Sequence, residues 1–397
     1  MRLISRSGIL FQCVAVLCLY GWLGAKAMAS SGTPSECNDE ICKRPRCVCE
    51  SEEPPAGLQA KEMPQFVTLT FDGAVNAGNM AFYRELLISS GRKNKQDKCG
   101  IKATFFVSAE YLDYEAVNEL HSWGNEIAVK SISHRPDLSY WQNLTSTMWE
   151  REVLDQRTML TAFAKVPASN VTGFRGPFLY TGGDKGFRML HKNFRYDSSL
   201  VHQRARGERP LYPYTMNFGF RRSCTVEPCP KGTYSGLWVL PMNVFFPEAA
   251  GNVFPCAMAD ACIPQPETAN DTFTYLKSNF DAFYTTNRAP FPIFLHEAYL
   301  RHPERKAGYL QFVDWLLQKD DVYFVTASEV IRFMEDPKPL SAYANRTCTE
   351  RSNRGPSTCP APNGCTYKNT PAGGERFMKT CSECPENYPW VNNPLGN

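Results

Sequence analysis

Apolar and polar residues alternate along residues 61–336 in a way that divides this part of the chain into short strands and longer helices. Strand-like runs rich in β-branched and aromatic residues lie at 66–72, 103–107, 126–132, 171–175, 195–199, 238–241, 292–296 and 322–326. Helical spacing begins near Asn79 and recurs at 111–123, 146–165, 272–286, 309–319 and 327–334. Strands that alternate with helices predict parallel strands and crossover helices, in an α/β sheet or barrel.

The first of these strands ends in Thr70-Phe71-Asp72 and opens through Gly73 into a helix. An acidic residue at the carboxyl end of a strand, just before a helix, is where α/β barrels place their chemistry. Asp72 is therefore the first candidate for a functional side chain.

The two ends of the chain differ in composition from this central part. Arg2 and Arg6 precede an apolar run at 8–24, and Ala27-Met28-Ala29 has the small-x-small form of a cleavage site. Residues 1–29 are thus predicted to be a signal peptide, since no basic stop-transfer flank follows that would favour a membrane anchor. The predicted organisation is a signal peptide at 1–29, a cysteine-rich segment at 30–60, a barrel at 61–336 and a cysteine-rich tail at 337–397.

Fourteen of the sixteen cysteines lie after residue 29, and in a secreted chain this even number predicts disulfides. A zinc site among the first four of them is disfavoured by their spacing. The tail carries five cysteines, one too few for a six-cysteine chitin-binding module. At least one bridge must then leave the tail, which predicts that the tail is packed on the barrel.

The chain without residues 1–29 carries 40 basic and 40 acidic residues. This formal neutrality argues against nucleic acid or an anionic membrane as partner. Four Asn-x-Ser/Thr triplets indicate a glycoprotein, and they begin at Asn143, Asn170, Asn270 and Asn345.

Five further segments follow Thr70-Phe71-Asp72 in a recognisable order: Lys130-Ser131-Ile132-Ser133-His134, Arg175-Gly176-Pro177, Tyr196-Asp197-Ser198-Ser199, Gly236-Leu237-Trp238 and Phe294-Leu295-His296. Together they resemble the motifs of the polysaccharide deacetylases (carbohydrate esterase family 4). The two cysteine-rich ends resemble those of insect gut chitin deacetylases. The resemblance implies a distorted (β/α) barrel of the polysaccharide deacetylase (NodB-like) type.

The resemblance also implies roles for single residues. Asp72 would be the general base, His296 the general acid, and Arg175 the residue that orients Asp72. The family uses zinc or another divalent metal, and its three ligand positions fall on Gly73, Lys130 and His134. A catalytic zinc needs about three protein ligands, and here His134 alone remains as a remnant. The expectation from the sequence is therefore that the protein has no cofactor.

Lys130 leads to a sharper prediction, because its ammonium would lie where the metal lies in the family. A buried ammonium needs a partner, and Asp72 is the nearest candidate. The sequence predicts a Lys130–Asp72 ion pair. The alternative is that Lys130 points into solvent, since lysines are rarely buried.

Aromatic residues near the motifs are candidates for a sugar-binding groove, because apolar sugar faces pack on aromatic rings. They are Phe178, Tyr180, Trp238 and Trp141. Core packing is the alternative for each of them.

The function expected from the sequence is a secreted, monomeric pseudoenzyme that binds chitin or chito-oligosaccharide in the extracellular space, such as a gut lining matrix. One alternative is an active metal-dependent chitin deacetylase with an altered ligand set. A second alternative is an interaction protein with no sugar site.

Overall fold

The fold is organised around its first strand in the computed structural model, which describes residues 36–248, 253–346, 348 and 357–397. The strands are β1 Gln65–Asp72, β2 Ala103–Ser108, β3 Glu126–Ser131, β4 Gly173–Phe174, β5 Tyr196–Asp197, β6 Val201–His202, β7 Tyr214–Thr215, β8 Trp238–Val239, β9 Met242–Asn243, β10 Phe291–His296, β11 Val322–Phe324, β12 Asn363–Tyr367 and β13 Arg376–Thr380. All eight residues of β1 are buried, as expected for a central parallel strand.

Nine strands form one curled sheet in the order β10-β1-β2-β3-β4-β5-β8-β7, with β11 paired to the start of β1. The pairs from β10 to β8 are parallel, and β7 is antiparallel to β8. The register places Asp72 of β1 opposite His296 of β10. Because parallel strands end at the same edge, this register brings the two predicted catalytic side chains to one end of the sheet.

Helices cover the sheet and follow the strands along the chain. They are α1 Ala77–Arg84, α2 Tyr114–Ser122, α3 Leu138–Asn143, α4 Ser146–Trp149, α5 Asp155–Ala164, α6 Gly183–Asn193, α7 Ala269–Tyr284, α8 Pro303–Leu316, α9 Ala327–Glu335 and α10 Leu340–Tyr343. Capping residues fix where several of the helices begin. The Thr268 side chain accepts a hydrogen bond from the backbone of Asp271 at the start of α7, and the Thr326 side chain from that of Glu329 at the start of α9. The predicted α/β architecture, a distorted barrel with disulfides, is confirmed.

Seven disulfides are present in the described part of the chain: Cys37–Cys49, Cys42–Cys47, Cys99–Cys348, Cys224–Cys229, Cys256–Cys262, Cys359–Cys381 and Cys365–Cys384. The tail hairpin of β12 and β13 also contacts α5, where the Cys381 backbone N–H donates to Phe163 O at 2.8 Å. The boundaries at residues 60 and 336 remain predictions, and the predicted signal peptide lies outside the described residues. None of the described helices combines the length and the apolar character needed to cross a lipid bilayer.

Candidate active site

Asp72 at the end of β1 is held between two cations. Its Oδ2 lies 2.5 Å from Lys130 Nζ, and its Oδ1 lies 2.5 Å from Arg175 Nη1. The ion pair predicted between Lys130 and Asp72 is therefore confirmed. Burial alone would raise the pKa of the Asp72 carboxyl, but Arg175 and Lys130 together hold this pKa well below its ordinary value.

Arg175 is fully buried, and its position is fixed on several sides. Its guanidinium lies between two rings, 3.9 Å from the centroid of Phe106 and 4.5 Å from that of Phe294. Nε donates to Ser198 O at 2.9 Å and Nη2 to Ser198 Oγ at 3.0 Å. The Arg175 guanidinium that contacts Asp72 is therefore held in one position by its surroundings, and its orienting role stays a prediction.

Residues 197–199, at the end of β5 and just after it, are buried and accept hydrogen bonds from this arginine through Ser198. Asp197 accepts hydrogen bonds from Ser199 N and Ser199 Oγ, and Gly176 N donates to Ser199 Oγ at 2.8 Å. Burial raises the pKa of Asp197 to about 6. Residues 196–199, one of the segments that resemble the family's motifs, thus position the loop that carries Arg175.

Lys130 belongs to β3, and its side chain is only 3% exposed. Its backbone N–H donates to Gln156 Oε1 at 3.1 Å, and Gln156 Nε2 donates in turn to Val107 O. These bonds tie the end of β3 to β2 and to α5. The alternative of a Lys130 side chain in solvent is thereby excluded.

His134 follows in a turn that is held by the buried carboxylate of Glu152. Ser133 N and Ser133 Oγ both donate to Glu152, at 2.9 Å and 2.6 Å. The backbone of His134 is left-handed (φ 41°), and its ring stacks on Phe178 with 5.1 Å between centroids. Burial, and next the Lys130 ammonium, lower the pKa of His134 to about 4.

The three positions at which the family resemblance places a metal do not fit a metal ion in this chain. Gly73 has no side-chain donor, the Lys130 ammonium is bound to Asp72, and His134 supplies a single imidazole. Three groups of His, Cys, Asp or Glu side chains among the described residues are close enough to share an ion. Each of these groups contains disulfide cysteines, and none includes His134.

His296 at the end of β10 pairs with Asp260, a residue that no motif in the sequence indicated. Asp260 Oδ2 lies 2.8 Å from both the backbone N and Nδ1 of His296. With its hydrogen on Nδ1, the ring donates to Asp260 and directs Nε2 away from it. Asp260 belongs to the loop closed by Cys256–Cys262, 36 residues before His296. Asp260 does not directly follow a strand, so a strand-end motif does not include it.

The four aromatic residues predicted to line a groove lie in two different environments. Phe178 is 42% exposed and stacks on His134, whereas Tyr180 is buried in the hydrophobic core and its hydroxyl accepts a hydrogen bond from Gln142 Nε2. Trp141 and Trp238 are buried in the hydrophobic core and present no free ring face to a sugar. The structure thus favours core packing for the two tryptophans, because Trp238 lies in a buried strand and Trp141 is the buried residue of α3, with its ring centroid 5.9 Å from that of Trp149.

Replacing Gly176 with alanine should destabilise the protein by about 1–3 kcal/mol, as for other overpacked sites. A Cβ at this position would lie 1.9 Å from Tyr180 O, a backbone atom that cannot move without displacing the loop after Arg175. Urea unfolding measures the change. Gly364→Ala is the matched control, because a Cβ there meets no atom within 4 Å, and an equal loss in both variants would refute the argument.

Sequence comparison finds two relatives among silkworm proteins. Chitin deacetylase 8 of Bombyx mori is 37% identical over 389 residues, which cover 96% of this chain and 99% of the relative. Chitin deacetylase 1 of Bombyx mori is 34% identical over 378 residues, which cover 91% of this chain and 68% of the relative. No protein-family model matches the chain.

Solved structures of similar fold include the chitin deacetylase of Colletotrichum lindemuthianum, which is 12% identical to this chain. The match covers 69% of this chain and 89% of the fungal chain, with a TM-score of 0.36. The Xyl-CE4 domain of a xylanase from the hindgut metagenome of Trinervitermes trinervoides has 14% identity, coverage of 68% and 90%, and a TM-score of 0.38.

These comparisons overturn one expectation from the sequence, namely that the protein has no cofactor. The silkworm relatives are chitin deacetylases, and the deacetylase family that the motifs resemble uses a divalent metal, so a metal belongs to the chemistry of the group even though Gly73 and Lys130 of this chain do not fit it. The identity of 37% over nearly the whole of both chains shows that this protein belongs to the chitin deacetylase family.

Proposed function

We propose that this protein binds chitin or chito-oligosaccharide and leaves its acetamido groups intact. The observation that carries the proposal is the ion pair between Lys130 Nζ and Asp72 Oδ2, at 2.5 Å. A general base is most effective when its pKa lies near the working pH. The Asp72 carboxylate is held by Lys130 and Arg175 with its pKa well below the ordinary range, so it is a poor proton acceptor.

The ligand positions support the same proposal. A metal lowers the pKa of bound water from about 15.7 to about 7. The hydroxide formed in this way is the main nucleophile of metal hydrolases at neutral pH. In this chain a glycine and an ion-paired lysine stand at two of the three positions that would hold it. Without a metal, the Asp72 carboxylate and the His296 imidazole are poorly suited to hydrolysing an unactivated amide.

The sugar class is inferred from the relatives and from the exposed side chains at the site. Both silkworm relatives are named chitin deacetylases. Phe178 and His296, each more than two-fifths exposed, supply an aromatic face and a polar group at the end of the sheet. The disulfides and the insect relatives are consistent with an extracellular protein. A gut location and a monomeric state remain predictions.

Active, metal-dependent deacetylation with an altered ligand set is the second candidate. Two observations favour it: the names of the relatives, and the retained pairs Asp72–Arg175 and His296–Asp260. In this reading, Asp260 orients His296 for proton donation to the leaving amine, and Arg175 orients Asp72.

Chitin retention and acetate release, measured on the same purified protein, test the proposal. We expect the protein to be retained on chitin, and to release acetate from N-acetylglucosamine oligomers no faster than a His296→Ala variant, with zinc supplied to both. His296 is 43% exposed, so this substitution leaves the core intact.

General acid catalysis typically contributes about 10²–10⁴-fold. Acetate release by the native protein at least a hundredfold above His296→Ala would therefore establish the second candidate. Absence of retention on chitin, compared with an unrelated secreted glycoprotein, would instead favour an interaction protein without a sugar site.

A further inference from the structure

Lys130 differs from the other charged groups at the base of the site in its unused hydrogen-bonding capacity. An ammonium carries three donors, and within the described residues Lys130 Nζ makes one hydrogen bond, to Asp72. The Arg175 guanidinium, by contrast, donates hydrogen bonds to Ser198, Thr70 and Asp72.

In the cluster formed by Lys130, Asp72 and Arg175, Lys130 is also the member whose side chain is not completely buried. Its side chain is 3% exposed, whereas the side chains of Asp72 and Arg175 are fully buried. A ligand at the end of the sheet would therefore meet the lysine before it meets the other two groups.

The charge of the cluster is positive, since two cations share the single carboxylate of Asp72. A neutral carbonyl oxygen can accept a charge-assisted hydrogen bond from such a cluster. A second ammonium would be repelled and would leave the lysine donors unsatisfied.

We propose that Lys130 makes the site selective for N-acetylated sugar units: its ammonium donates a hydrogen bond to the carbonyl oxygen of an acetamido group and repels the ammonium of a free glucosamine unit. This rests on the proposed function, the binding of chitin-type chains. It goes further in assigning a binding role to the residue that replaces a metal ligand.

Isothermal titration calorimetry with N-acetylglucosamine oligomers, and with fully deacetylated oligomers of the same length, tests the selectivity. The measurements are made at a pH at which the free amines are protonated. We expect the native protein to bind the acetylated oligomer at least about tenfold more tightly. Lys130→Met keeps the length of the side chain without its charge, and should weaken binding of the acetylated oligomer and remove the preference.

Lys338→Met is the matched control, because Lys338 pairs with Asp336 at the surface, and it should bind as the native protein does. Unchanged affinity and preference in Lys130→Met would overturn the inference while leaving the proposed function standing. If the native protein binds neither oligomer, the proposed function itself fails. Should Lys130→Met not fold, equal affinity of the native protein for both oligomers would still overturn the inference.

Discussion

Replacing Asp72 with alanine is expected to lower the free energy of unfolding by about 3–5 kcal/mol, the usual cost of removing one partner from a buried ion pair. The loss is large because the Lys130 ammonium and the Arg175 guanidinium would remain in the core with no carboxylate between them. Denaturant unfolding measures the change.

The control for this prediction is Asp336→Ala, which removes a carboxylate from an exposed pair with Lys338. Exposed pairs contribute roughly 0–1 kcal/mol, so this variant should be nearly as stable as the native protein. Similar losses at Asp72 and Asp336 would mean that the two cations can leave the core when Asp72 is removed.

The pH dependence of stability gives a second readout of the same ion pair. The pKa of Asp72 is lowered in the folded state, so its stabilising contribution is complete above about pH 4, the ordinary value for the unfolded chain. This contribution is lost as the pH falls toward the folded-state pKa. The native protein should therefore lose stability more steeply below pH 4 than Asp72→Asn does.

Removing the Cys99–Cys348 disulfide should lower the free energy of unfolding by about 5 kcal/mol, from the chain-entropy relation for a loop of this length. The two cysteines are 249 residues apart, so their bond restricts most of the unfolded chain. Substituting serine for both cysteines avoids a free thiol, and unfolding is followed under non-reducing conditions.

The matched control is removal of Cys224–Cys229, whose cysteines are five residues apart. The same relation gives about 2 kcal/mol for this short loop. A loss at Cys99–Cys348 no greater than at Cys224–Cys229 would show that loop length does not set the stability gained from the bond that joins tail and barrel.

The strands and most helices could be predicted from the sequence because their signals are local. The run before Asp72 is buried on both faces and reads as a continuous β-rich stretch, and strands β2, β3 and β10 were found within a residue or two of their bounds. Helix α8 begins at Pro303, six residues before the predicted start, because proline fits the first turn of a helix whose apolar spacing begins later. The tail hairpin lacks such a pattern and was not predicted.

The site could be predicted only where its residues lie in motifs. Asp72, Lys130 and Arg175 each lie at or next to the carboxyl end of a strand, so parallel topology brings them together. The Asp260–His296 contact depends instead on how a disulfide-closed loop folds back over the sheet, which no periodicity encodes. Burial of Trp141 and Trp238 was likewise undetermined, because an aromatic residue serves equally well in a core and in a groove.

The backbone of Gly73 bears on whether a metal site could be engineered at the end of β1. Its φ of +108° is a conformation that side chains of L-residues rarely adopt, although a Cβ there would meet no neighbouring atom. An aspartate at position 73 would thus bear a conformational penalty of roughly 1 kcal/mol or more, unless the loop also relaxes. A histidine at position 130 would remove a partner of Asp72. Each substitution alone therefore costs stability, and a metal site built at these positions would need both at once.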